Sequence, residues 1–150
     1  MKKDDYYMED IEKLKERIKS FWPESLPELN RMVEEDIDAD IIEAVLKELV
    51  DVAVDGQIEC AGQAQIIIAE KYRPVAEKRK TDIIKWIFEF TEKYSDDPYA
   101  YFLGFNLVLK LEWKELYVLY IKAYDEQIKK EFDDDYIRFY ELEQYLSDNT

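Results

Sequence analysis

The stretch EEDIDADIIEAVLKELVDVAVDG, residues 34–56, decides how this chain is read. Its second half places Ile41, Ile42, Val45, Leu46, Leu49 and Ala53 at the three- and four-residue spacing of one helical face. Gly56 supplies the stop, through the left-handed conformation that glycine adopts after a helix. The first half raises a different question, because Asp36, Asp38 and Asp40 alternate like the opening ligands of an EF-hand loop. That loop needs Gly at its sixth position and a bidentate Glu at its twelfth, and here those positions are Ile41 and Lys47. No metal site is expected. The three carboxylates are expected to start the helix, where they accept from unpaired N–H groups and sit at the positive end of its dipole.

The same periodicity runs through the rest of the chain. Met8, Ile11, Leu14 and Ile18 predict an amphipathic helix ending near Ser20. Ser25 and Glu28 fit the capping box S-x-x-E, with Pro27 tolerated in the first turn, and predict a helix from Leu26 to Glu35. Gln57 to Tyr72 reads as a helix carrying Ala61, Ala64 and Ile68 inward, although its IIIA run also suits a short strand. Pro74 opens a segment in which Ile83, Ile87, Phe90 and Tyr94 keep the spacing. Asp97 and Pro98 form a cap and first-turn pair before an apolar helix running towards Leu111. A long helix from Trp113 to Phe132 follows, the triplet Asp133 to Asp135 breaks it, and Ile137, Tyr140 and Leu142 lie on a closing helix. Seven or eight helices with only three Gly and four Pro predict an all-α bundle or short helical array. At 150 residues the chain is expected to be one domain spanning 1–150.

Composition excludes several function classes. A net charge of −15 repels nucleic acid and anionic membranes, since phosphate binding needs Lys and Arg. The longest uncharged run, Pro98 to Leu109, has 12 residues, short of the roughly 20 that span a bilayer. Acids at positions 4, 5, 9 and 10 interrupt any signal core, and the single Cys60 has no disulfide partner within the chain, so a cytoplasmic location is expected. With no His, the usual general base, the Ser-His and Cys-His pairs and the Glu-x-x-His di-iron motif are all missing. Neither an enzyme nor a cofactor is expected. Cys60, among small residues, reads as a buried apolar side chain. Trp113, Tyr117, Tyr120 and Tyr124 form a helical stripe that reads as core; its partial match to a tetratricopeptide pattern stops at Tyr120.

The acid itself is unevenly placed. Residues 25–65 hold 11 acidic and 2 basic side chains, and residues 125–150 hold 9 and 3, which together equal the whole excess. Clustered like charge costs stability by self-repulsion, so segregation points to a surface for a basic partner. The candidate contacts are Glu34, Glu35, Asp36, Asp38, Asp40, Asp51 and Asp55, then Asp133, Asp134 and Asp135.

In size, acidity, missing catalytic groups and helical layout the chain resembles the small immunity proteins that bacteria make against polymorphic or contact-dependent toxins. The resemblance implies a cytosolic inhibitor that covers the active site of a cognate toxin domain, often a basic nuclease. Two other readings stay open. One is a nucleic-acid mimic of the phage anti-restriction or anti-CRISPR type, which needs carboxylates along an extended face; Ile37, Ile41 and Ile58 instead punctuate the clusters. The other is a helical scaffold or adaptor with an apolar groove for a peptide.

Overall fold

The computed structural model describes residues 8–20, 23–93 and 98–116. They form α1 (Met8–Ile18), α2 (Ser25–Glu34), α3 (Ala39–Ala44), α4 (Leu46–Asp55), α5 (Ile58–Ile66), a π-helical turn (Ile67–Lys71), α6 (Arg73–Lys78), α7 (Lys80–Lys93) and α8 (Pro98–Leu111). No strand occurs among the described residues, so the IIIA run is helical. The architecture is an all-α helical array.

Helix α4 is central because its sequence leaves it little polar surface. Leu46, Leu49, Val50, Val52, Ala53 and Val54 are all buried, which covers most of its circumference. It packs most extensively on α5 and α8, and also on α7 and α1. Lys47, Asp51 and Asp55, four residues apart, make its one charged stripe. Leu14 and Ile18 of α1, Leu29 and Met32 of α2, Ala64 of α5, Ile83 and Ile87 of α7 and Leu107, Val108 and Leu111 of α8 complete one continuous apolar cluster. Each large side chain so buried contributes on the order of 1.5–3 kcal/mol.

Four local expectations are corrected. The helix from Ile41 to Ala53 is two helices, broken at Val45, whose amide is shared between the carbonyls of Ile41 and Ile42 at 3.2 Å each. Val45 is itself fully buried, as are Ile41 and Ile42, so the break lies within the core. Gly56 does end α4, but in an extended conformation with φ −86° and ψ 175°. What glycine supplies is space: a Cβ there would meet the Val52 carbonyl oxygen at 2.6 Å.

The capping box of α2 does not form, although the helix does. Glu24 is the N-cap and makes no side-chain cap bond. Ser25 is buried with its hydroxyl 3.2 Å from the Cys60 sulfur, and Glu28 turns to two arginines. Tertiary partners have taken both members of the box. Cys60 is buried, as its small neighbours imply.

The segment after Pro74 is also two helices, α6 and α7, meeting at Arg79. Tyr94, Asp97, the part of the expected Trp113–Phe132 helix beyond Leu116, the stripe beyond Trp113, Asp133 to Asp135 and the expected closing helix with Ile137, Tyr140 and Leu142 lie outside the described residues. No helix of the described residues is long and apolar enough to cross a membrane.

Candidate partner-binding surface

Acids that are neighbours in sequence separate in space. Bases from outside the acidic segment return to neutralise many of them. Glu28 receives Arg31 through a two-pronged contact at 2.9 and 3.0 Å and Arg17 at 3.2 Å. Burial alone would raise its pKa, but hydrogen bonds and charge from Arg31 and then Arg17 outweigh it and hold the carboxyl below the ordinary range. Glu43 binds Lys78 at 2.9 Å and Arg79 at 3.4 Å, and the Lys78 hydrogen bond leads in lowering its pKa against a smaller opposing effect of desolvation. Glu48 lies 3.8 Å from Lys15. These acids join α1 to α2, α3 to α6 and α1 to α4.

The ten predicted contacts divide into three groups. Asp51 and Asp55 lie on the charged stripe of α4, in a cleft of about 760 Å³ between α1, α4 and α7. Asp51 is held there by Lys19 at 3.2 Å and Lys47 at 2.6 Å, so its charge is met from both sides. Trp86 and Phe90 line the same cleft, with the Lys47 ammonium 5.7 Å from the Trp86 ring centre. Glu34, Glu35, Asp36, Asp38 and Asp40 contribute nothing to this cleft and lie together at the corner between α2 and α3. Asp133, Asp134 and Asp135 fall outside the described residues.

The corner is exposed in its side chains and fixed in its backbone. Glu34, Glu35, Asp36 and Asp40 are exposed, whereas Ile37 between them is buried. Asp38 is the N-cap of α3, its carboxylate accepting from the Asp40 amide at 2.8 Å, so the sequence reading of helix initiation holds for this residue. The Tyr72 hydroxyl donates to the Ile37 carbonyl and accepts from the Ile37 amide, both at 2.9 Å. Burial raises the Tyr72 pKa; the hydrogen bond with Ile37 opposes that, and the charges of Asp36 and Asp38 add to it, so the hydroxyl keeps its proton.

Lys71 completes the brace. Its ammonium donates to the carbonyls of Met32 at 2.9 Å, Val33 at 2.8 Å and Glu35, the acceptors a helix end leaves unpaired. An ammonium has three donors, and all three go to main-chain oxygens, which leaves none for the corner carboxylates. Glu35 pairs with Arg31 at 3.4 Å across one turn of α2.

Comparison with known protein families, characterised proteins and solved structures finds no match. The corner therefore stands on its own geometry. Sequence reasoning missed Lys71 and Tyr72, because nothing in the KYRP run shows that two adjacent side chains reach back to residues 32–37. The aromatic side chain that braces the corner, Tyr72, is buried. The exposed large apolar residue, Phe88, belongs to α7.

Proposed function

We propose that this chain is an immunity-type inhibitor that binds a basic partner, a toxin domain with a cationic nucleic-acid groove, through the α2–α3 corner. The observation that supports it is the braced corner: four exposed carboxylates on a backbone held by Tyr72 and Lys71. A backbone ordered before contact loses little freedom on binding, and carboxylates that it presents to a cationic groove accelerate encounter. Asp51 has a smaller part in this reading, since Lys19 and Lys47 already meet its charge.

The test compares two forms of the tagged chain as baits in a lysate of its own host at low salt. One is native; the other carries Glu34→Lys, Glu35→Lys, Asp36→Lys and Asp40→Lys and keeps the Asp38 cap. The expected result is one basic domain retained by the native chain, released by rising salt and not retained by the variant. Restriction, CRISPR or polymerase subunits in its place would put nucleic-acid mimicry first. Equal retention by both baits would remove the corner from the binding face.

A further inference from the structure

Three consecutive side chains hold the α2–α3 corner at two points and the end of α8 at a third. Lys71 caps the end of α2, Tyr72 fixes Ile37, and the Arg73 guanidinium bonds the carbonyls of Lys110, at 3.1 Å, and Leu111 at the end of α8. All three lie where the π-helical turn meets α6. The Tyr72 amide bonds the Ile67 carbonyl at 2.8 Å, five residues back, which is the bond that defines a π register.

An α register would pair that amide with Ile68 instead. Every side chain beyond it would then be rotated about the axis relative to α5. Pro74 opposes one continuous α-helix through this point, because it has no N–H and its ring would collide with the carbonyl four residues earlier, here Glu70; α6 instead starts afresh with Tyr72 as its N-cap. We infer that the π turn is a register lock: Pro74 prevents one continuous α-helix from α5 into α6, and the π register at the break lets Lys71, Tyr72 and Arg73 reach α2, residue 37 and α8 at once.

The three contacts form and release as one unit. The α2–α3 corner and the end of α8 are thereby coupled through a single turn of helix. This inference does not depend on what the corner binds.

Amide hydrogen exchange of the full chain, read residue by residue by NMR, tests it. The reporters are the Ile37 amide, bonded to Tyr72 Oη, and the Glu112 amide, bonded to the Val108 carbonyl at 3.0 Å. Pro74 is exposed, so Pro74→Ala removes the block on one continuous α-helix from α5 into α6 without opening the core. Both reporters should exchange about tenfold faster, the scale set by losing one or two hydrogen bonds, while the Ala53 amide in central α4 keeps its native rate. Acceleration confined to residues 70–76, or to one reporter alone, would overturn the lock.

Arg73→Met reads the same coupling from the other end and keeps the test decisive if Pro74→Ala fails to fold. It removes the bonds to α8 and should also speed exchange at Ile37. An effect of Arg73→Met limited to Glu112 would make the three contacts independent caps, and the inference would fail.

Discussion

The Tyr72 hydroxyl pairs with both main-chain polar groups of Ile37, 35 positions away in sequence. One oxygen thus satisfies a buried donor and a buried acceptor in the link between α2 and α3. Tyr72→Phe keeps the ring and its packing but leaves both groups without their partner. A buried polar group deprived of its partner costs roughly 1–3 kcal/mol, so the variant is expected to lose about 2–3 kcal/mol. Chemical denaturation measures this, and a loss below about 0.5 kcal/mol would mean that water reaches Ile37 and replaces the hydroxyl.

Glu28 gives the fold a defined response to acid. Its folded pKa lies below the ordinary value of 4.5, because the Arg31 and Arg17 contacts outweigh burial. A carboxyl with a depressed folded pKa contributes stability above its unfolded pKa and loses it as pH falls through the folded one. Glu28→Gln is therefore expected to cost about 2 kcal/mol near pH 7, the scale of hydrogen bonds to charged partners. The gap between native and variant should narrow as pH falls below the ordinary carboxylate value and close as Glu28 takes up its proton in the folded state. Denaturation midpoints of the two proteins across that range test the sign. A gap independent of pH would assign the loss to packing.

Helix α8 ends on a residue poorly suited to its backbone. Glu112 has φ of 60°, and its amide bonds the Val108 carbonyl at 3.0 Å, a left-handed helix end that glycine ordinarily occupies. A side chain there costs roughly 1–2 kcal/mol, against which glycine loses somewhat more backbone entropy on folding. Glu112 is exposed and its removal opens no cavity. Glu112→Gly is expected to raise stability by about 0.5–1 kcal/mol, seen as a higher denaturation midpoint with an unchanged slope. A destabilised variant would show that the side chain itself supports the turn.

The spacing of Leu14 and Ile18, or of Ile83 and Ile87, marks a buried face because helical period and burial are the same geometric fact. Boundaries were less legible. Ser25 and Glu28 satisfy a capping pattern locally, yet a buried Cys60 and two arginines compete for the same atoms and prevail. Gly56 is a stop for a steric reason, the close approach of Val52 from one turn earlier in α4, and not for a left-handed conformation. The acid count of residues 25–65 was visible, but its neutralisation by Lys15, Arg17, Lys19, Lys78 and Arg79 was not, because those bases arrive from outside the segment.

Asp38 separates the two roles assigned to the corner, helix cap and charged contact. Its carboxylate accepts from the Asp40 amide at 2.8 Å, and asparagine caps helices about as well as aspartate. Asp38→Asn should leave stability within about 0.5 kcal/mol of native, whereas Asp38→Ala should lose about 1 kcal/mol. For association with a basic partner the expected order differs. Removing one charge lowers the on-rate and the steepness of its salt dependence, so Asp38→Asn weakens encounter while the fold is intact. Asp38→Ala, alike in charge, should match it in on-rate and differ in stability. Stopped-flow association at two salt concentrations, alongside denaturation of each variant, reads both quantities. If Asp38→Asn associates at the native rate at low salt while the Glu34, Glu35, Asp36 and Asp40 reversals do not, Asp38 is a cap alone and the contact surface consists of its exposed neighbours.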